Sequence, residues 1–405
     1  MEVFEGKAWI SGQGLTETCI GIEEGKIKSV KKILRGDKNI QFKGLILPSA
    51  LDMHVHFRDP GYPNKEDWKS GSEAAACGGV TAVVDMPNTD PFTSNPETFN
   101  DKVALASTKS VVDFGIGVNV EEGLTSKPWF DTLPCAFWKL YPYGITSEKY
   151  FTYAQEVLDR TNKALVIHGE HPDYMYNQPL TKLSDHTKNR HRAELECLST
   201  MPSSSNLHVA HLSTLEGLEN MPNLATSEVC PHHLFLNLEN CDSFDCKVDP
   251  PLRTRKDNQG LYAAFREGRI PILSSDHAPH TIEEKSSDNP PSGIPGVETM
   301  IPLMLEEVSH NRIDLGRLVN SMSEAPASRL NLLRGKIEKN NPADFMIVDL
   351  KASKPIDIDK LHSKAHWTPF QYWPAIFPSR VYRRGELIAE EGEIVSSGGG
   401  HNLFG

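Results

Sequence analysis

At 405 residues the chain has room for one large barrel-type domain or two ordinary ones. Its 38% hydrophobic and 24% charged residues suit a globular enzyme, while a net charge of −12 excludes a nucleic-acid surface, which needs clustered Lys and Arg. No apolar run reaches about 18 residues, so no membrane span is expected, and the opening MEVFEGKAWI lacks the pattern of a signal peptide.

The first 47 residues read as short strands with Gly-containing turns: Lys7–Ile10, Cys19–Ile22, Lys26–Val30 and Gln41–Ile46. From Pro48 the texture changes to apolar strand followed by helix, repeated many times. The strands are Thr81–Met86, Val111–Val120, Cys135–Leu140, Ala164–His168, Leu207–Leu212, Ser227–Cys230 and Ile270–Ser275. Helices are expected at Glu66–Cys77, Glu148–Asp159, Arg192–Met201, Leu261–Glu267 and Val297–Val308. Such alternation predicts parallel strands with crossover helices. A dinucleotide-binding open sheet should carry G-x-G-x-x-G after an early strand, and the sequence has none. Chemically rich residues stand instead at the ends of several strands, which is where a (β/α)8 TIM-type barrel keeps its site. Strand texture returns after residue 332, at Lys336–Glu338, Phe345–Asp349, Arg380–Arg383 and Glu391–Val395. The expected architecture is α/β: a barrel over 48–332, beside a small β-rich domain built from 1–47 and 333–405. Ser396–Gly400 reads as a disordered terminus.

Seven scattered cysteines, of which only Cys241 and Cys246 lie close, complete no zinc-knuckle spacing. Reduced, mostly buried thiols in a cytoplasmic protein are expected.

The run Leu51-Asp-Met-His-Val-His-Phe-Arg-Asp59 places His54, His56 and Arg58 at alternate positions of a strand, on one face. Alone, His-x-His is as well explained by two hydrogen-bonded core histidines. Other strand ends add Lys139, His168, His211 and Asp276. Each has an ordinary explanation singly; together they converge on one barrel mouth. Nitrogen and carboxylate donors suit zinc or another borderline divalent ion. Two ions need a bridging anion, which a lysine supplies only after reaction of its neutral amine with carbon dioxide to a carbamate.

At this point the sequence resembles the dihydroorotases, of the amidohydrolase superfamily of metal-dependent cyclic amide hydrolases. The matching stretches are Asp52–Gly61, Gly78–Thr89, His208–Thr214, Glu228–Leu234, Pro250–Arg253 and Ala343–Leu350. The narrowest is Asp276-His-Ala-Pro-His-Thr-Ile-Glu-Glu-Lys285. The resemblance implies His54, His56 and Asp276 on one Zn2+, His168 and His211 on a second, and carboxylated Lys139 bridging them. It implies Arg58, Asn88 and His280 around a substrate carboxylate, and Gly293–Thr299 as a loop lining the site. A metal-bridged hydroxide would attack the ring amide of (S)-dihydroorotate to give N-carbamoyl-L-aspartate, reversibly, in pyrimidine biosynthesis. Asp276 would serve as general base and then acid, and Ala278–Asp288 would cover the site.

Two positions depart from the pattern. Ser49 replaces a usual glycine, which matters only if φ is positive there. Asp249 replaces a usual asparagine that contacts the substrate ring; an ionised aspartate would repel an anion unless protonated or turned toward Arg253. His232 and His233, with His171, His186, His191 and His277, read as supporting hydrogen-bond partners rather than ligands. The alternatives are a hydantoinase, dihydropyrimidinase or allantoinase, or an inactive scaffold relative. The expected partner is a small-molecule substrate, with no nucleic acid and no membrane, and the expected assembly a homodimer.

Overall fold

The computed structural model describes residues 1–176, 180–241 and 243–405. Strands are numbered in chain order: β1 Glu2–Ile10, β2 Gly14–Glu23, β3 Lys26–Lys31, β4 Lys38–Pro48, β5 Ala50–Val55, β6 Val80–Asp85 and β7 Asp113–Ile116. Then follow β8 Val118–Asn119, β9 Phe137–Leu140, β10 Ala164–His168, β11 Leu207–Ala210, β12 Thr226–Val229 and β13 Ile272–Leu273.

Strands β5 to β7 pair in parallel, as do β8 to β13 in sequence order. Gly117 interrupts what the sequence suggests is one strand, and its N–H bonds to Asp85 O. Counting β7 and β8 as one staves the ring with eight, and a parallel bridge between Val55 and His277 closes it. This is the (β/α)8 barrel. Its strands are buried on both faces, as parallel strands covered by helices must be. Inside lie Leu51, Met53, Ala82, Val84, Phe137 and Val166. Outside, Val83, Ile116, Trp138, Leu165 and Val209 pack under the helices.

Helices follow local capping chemistry. Helix α1, Trp68–Cys77, begins at Asp67, whose carboxylate accepts from Ser70 N–H in a capping box. Helix α2, Pro96–Lys109, which the periodicity does not reveal, starts from Asn95 with Pro96 in its first turn. Helices α3 (Ser147–Arg160) and α4 (Ala193–Thr200) follow. Helix α5, Arg255–Glu267, is nearly two turns longer than expected and ends at Gly268 with φ 86°. Helix α6 is Val297–Ser309.

The remaining strands are β14 Phe345–Val348, β15 Lys354–Pro355, β16 Pro374–Ala375, β17 Arg380–Arg383, β18 Glu386–Glu390 and β19 Glu393–Ile394. Both chain ends share one sheet, ordered β19-β18-β17-β14-β4-β1-β2-β3. The seam is β4 against β14, with Ile46 opposite Ile347. Phe4, Phe42, Phe345 and Tyr382 form its aromatic core; Phe345 and Tyr382 stack at 4.7 Å.

Three expectations need correction. Lys336–Glu338 is not a strand. Ser396–Gly400 is tied down, because Arg383 and Arg384 donate to Gly398 O and Gly399 O, and Gly400 N–H bonds to Ser110 O. Cys241 and Cys246 are joined as a disulfide rather than free, with Cα atoms 6.2 Å apart, within bonding range; the other five cysteines are free and buried. Ser49 has no positive φ and its hydroxyl bonds to that of Thr81 at 2.5 Å, so it is accommodated without strain. No helix among the described residues is long and apolar enough to cross a membrane.

Candidate metal centre and substrate cleft

Strand β5 carries a bulge: Asp52 pairs with Val83, but the next partners are Val55 and Asp85. Beyond the bulge His54, His56 and Arg58 face a cleft of about 260 Å³, while Val55 and Phe57 turn into the outer core. His54 Nε2 and His56 Nε2 stand 3.4 and 3.2 Å from the same oxygen, Asp276 Oδ1. The three donor groups lie within 4.8 Å of one another, all buried.

The tautomers are fixed from behind. His54 Nδ1 bonds to Glu228 Oε1, and His56 Nδ1 to Asn88 Oδ1 at 2.6 Å. With protons held on Nδ1, both Nε2 lone pairs are presented to the cleft, the arrangement metal-binding histidines require. Burial lowers the pKa of both rings, helped at His56 by Arg58, so each is neutral.

His168, at the end of β10, bonds through Nε2 to Glu170 Oε2 at 2.7 Å, which leaves Nδ1 as its free lone pair. Its ring lies 4.6 Å from that of His211, whose buried Nδ1 has no partner. The His211 ring is in turn 5.1 Å from His54. Lys139 Nζ, on β9, is completely buried and has no hydrogen-bond partner, only the Tyr141 ring 5.2 Å away. Burial lowers its pKa to about 8, against the attraction of Glu228 and Asp276. Orphaned buried nitrogens are costly in an isolated chain. These two, beside the His54–His56–Asp276 cluster, fit a site that takes up divalent ions.

Arg58, His211 and Asp276 all have left-handed backbone, at φ 62°, 38° and 48°. That conformation is unfavourable for residues with a Cβ and concentrates at functional sites.

Across the cleft, Arg58 Nη2 lies 3.1 Å from His280 Nε2, and Arg58 Nε donates to Pro279 O at 3.2 Å. Burial, then Arg58 and Lys65, push the His280 pKa down to about 3, so its imidazole is neutral. Its Nδ1 bonds to Glu284 Oε2 at 3.2 Å. Asn88, Arg58 and His280 therefore line one wall together, with Asn88 also serving His56. The segment above them is pinned. Lys285 donates to Lys247 O, Pro291 O and Gly293 O, and Trp367 Nε1 donates to His280 O.

Asp249 also lines the cleft, but its partner is not Arg253. His186 Nε2 bonds to its Oδ1 at 2.7 Å, Arg190 stands at 3.2 Å, and Tyr143 donates to Oδ2 at 3.2 Å. Burial pushes the carboxyl up, yet Arg190 and His186 outweigh it and hold Asp249 well below the usual range, ionised. Arg253 instead donates to Ser213 Oγ and Arg190 O. The separation of Asp249 from Arg253, four residues along the chain, could not reveal that Arg190 comes between.

Glu228 and Glu170 are the residues that sequence reasoning leaves without a role. Glu228 is fully buried, bonded also by His208 Nε2 at 3.3 Å and Ser274 Oγ at 2.8 Å. Burial opposes its ionisation, but His54 and His208 hold it well below the ordinary range. Glu170 accepts from Arg190 Nη1 at 2.7 Å and is held at about 2, Arg190 and His168 overcoming burial. The one signal for Glu228 was its place in the Glu228–Leu234 stretch. Of the remaining histidines, His233 Nε2 bonds to Pro250 O at 3.1 Å, and His277 Nε2 faces Glu66 at 3.3 Å.

A profile of the amidohydrolase family matches residues 45–371. A dihydroorotase of Methanosarcina mazei is 38% identical, over 92% of this chain and 91% of its own length. One of Pyrococcus furiosus is 33% identical over 99% and 95%. Among solved structures, an L-hydantoinase (dihydropyrimidinase) from Arthrobacter aurescens superposes with a TM-score of 0.89 at 23% identity, covering 98% of each chain. A dihydropyrimidinase from Brevibacillus agri gives 0.87 at 18% identity, covering 100% of this chain and 99% of its own. At such identities the likeness of structures speaks for the fold alone. The relatives along the whole chain decide the rest: the chain belongs to the amidohydrolase family and, within it, to the dihydroorotases.

Proposed function

We propose that this enzyme, a metal-dependent hydrolase of cyclic amides, opens (S)-dihydroorotate reversibly to N-carbamoyl-L-aspartate, and so serves pyrimidine synthesis in the cytoplasm. The observation that carries the substrate is the Arg58–His280 pair, 3.1 Å apart, on the same cleft as the His54–His56–Asp276 cluster. A hydantoinase substrate, lacking a ring carboxylate, gives that buried guanidinium nothing to bind.

The residues fit two zinc ions. His54, His56 and Asp276 would hold one, His168 Nδ1 and His211 Nδ1 the other, and Lys139 as its carbamate would bridge them. The lowered Lys139 pKa favours the neutral amine, which adds to carbon dioxide with loss of one proton. Bound zinc supplies Lewis acidity toward the amide carbonyl and lowers the pKa of water.

The chain's own groups do the rest. Arg58 grips the carboxylate through its planar fork, the Asn88 side-chain N–H adds a donor to the same oxygens, and neutral His280, its Nδ1–H turned to Glu284, positions the guanidinium by accepting from it at Nε2. Asp276 takes a proton from the attacking water as its oxygen bonds to the ring carbonyl carbon. As the ring C–N bond breaks, Asp276 returns that proton to the leaving nitrogen. Closing the ring reverses each step.

The test is turnover of dihydroorotate against hydantoin, dihydrouracil and allantoin by pure protein supplied with zinc, with metals counted on the same sample. Preference for dihydroorotate, lost in Arg58→Met with metals retained, is expected. Equal or faster turnover of a carboxylate-free ring would overturn the reading. Absence of both turnover and bound metal would point to the scaffold alternative.

A further inference from the structure

Motif residue Glu298, in the Gly293–Thr299 loop, does not face the cleft. Its carboxylate enters a separate cavity of about 400 Å³, lined also by Cys77, His362, Lys354, Asp357 and Glu393. The residues lining this cavity and those lining the substrate cleft do not overlap.

Three groups of mixed chemistry meet there. Cys77, the last residue of α1, is 3% exposed and Glu298, in the first turn of α6, is 5% exposed. His362 comes from the segment before β16 and keeps about 20% of its side chain open to solvent. Glu298 Oε1 bonds to His362 Nδ1 at 2.8 Å, and its Oε2 accepts the His362 backbone N–H at 2.8 Å. The ring is therefore locked from behind, with Nε2 turned to Cys77 Sγ at 3.7 Å. Two tetrahedral zinc ligands, sulfur at ~2.3 Å and nitrogen at ~2.0–2.1 Å, stand about 3.6 Å apart. The pair is spaced for one ion, and the carboxylate behind the imidazole is the usual support of a metal-bound histidine.

The surroundings fit a cation. Glu298, Glu393 and Glu73 all act on the thiol, and in the ion-free protein burial and these carboxylates keep it protonated. An ion that bound would displace that proton to solvent as the sulfur–metal bond formed. Glu393 and Asp357 also line this cavity.

We propose that Cys77 and His362, with Glu298 orienting the imidazole, form a second metal site for a thiophilic divalent ion of the zinc class, apart from the catalytic centre. Such an ion clips α1 and α6 of the barrel to the 354–362 segment and to the β18–β19 turn, where Gly392 O lies 3.5 Å from the thiol.

Cobalt(II) is the probe, added to the enzyme with its catalytic metals in place. Nitrogen and oxygen ligands give no thiolate-to-cobalt charge-transfer band, whereas this site must give one in the near ultraviolet. We expect about one equivalent to produce the band. Cys77→Ser should abolish it while dihydroorotate turnover is unchanged, and Glu298→Gln should weaken binding about 10–100-fold. Should Cys77→Ser fail to fold, His362→Ala, at the more exposed position, gives the same readout. Absence of the band in the parent protein overturns the proposal, as does its survival in both variants. Its loss in Cys230→Ser alone would also do so, placing the ion at the buried Cys230–His232–His233 group instead. None of these outcomes depends on which cyclic amide is the substrate.

Discussion

The two walls of the cleft handle buried charge in opposite ways. On the side of β5, β9 and β11, His54, His56 and His211 are neutral and Lys139 has no hydrogen-bond partner. From the end of β10 outward, His168, Glu170, Arg190, Asp249 and His186 bond one to the next in a chain. The second is paired within the folded protein, apart from Glu170 Oε1 and the His168 Nδ1 lone pair. The first is complete only when something from outside joins it. At this cleft the orphaned Lys139 and His211 nitrogens stand where ions would enter, and the bonded chain behind His168 holds the pocket's shape.

Substitutions that strike each wall separately should give different signatures. Lys139→Ala should cost on the order of 10³-fold in kcat and release bound metal, while leaving the melting temperature of the metal-free protein nearly unchanged. Activity and elemental analysis on one sample check both halves. Arg190→Met should do the reverse. It strands the buried carboxylate of Glu170 and unpairs the part-exposed Asp249, so a loss of about 3–5 kcal/mol in denaturant unfolding is expected. Retention of stability there would mean the network is ornamental.

The network also has a pH signature. Glu170 is held at about 2 against an ordinary 4.5, so its contribution to stability is fully present above pH 4.5 and is lost as pH falls toward 2. Acid unfolding of Glu170→Gln should be shallower over that window, read by circular dichroism. Arg58→Met should raise KM for dihydroorotate roughly 10–100-fold, the worth of a charge-assisted hydrogen bond, with metals intact. The smallest effect belongs to Asp249→Asn. Because Asp249 faces Arg190 and His186, a few-fold change in KM is expected through the network. Unchanged Michaelis constants in both directions, from neutral to mildly alkaline pH, would remove any role for it in substrate affinity.

The contrast also explains what could be read from the chain alone. His168 ends β10, His56, His211 and Asp276 follow one to three residues after their strands, and strand ends are visible as apolar runs that stop at a polar residue. His54 and Lys139 lie inside their strands and stand out as polar residues within apolar runs, Lys139 between Trp138 and Leu140. Glu228 and Glu170 are different. Glu228 accepts hydrogen bonds from His54, His208 and Ser274 on other staves of the barrel, and Glu170 from His168 two residues before it and from Arg190 on a distant loop, so little in the local sequence sets either apart from other glutamates. Asp249 illustrates the limit: proximity in sequence suggested Arg253, but packing supplies Arg190 from a loop 59 positions earlier. The small sheet was legible from its texture, yet Lys336–Glu338 failed because short polar runs lack a burial pattern. Helix α2 escaped because only Phe99, Lys102 and Ala106 of its residues are buried, too few to make a periodic stripe.

The seam between β4 and β14 has a consequence for how the molecule comes into being. Ile46 meets Ile347 across it, and Phe114 pairs with Asn402 near the last residues. During synthesis β4 can pair with β1 early but must wait for β14, after residue 344, before its second neighbour exists. Contacts this distant in sequence make folding slow. A ribosome-bound chain stopped short of residue 345 would carry an unpaired β4 edge, and that edge is where a folding helper would be needed.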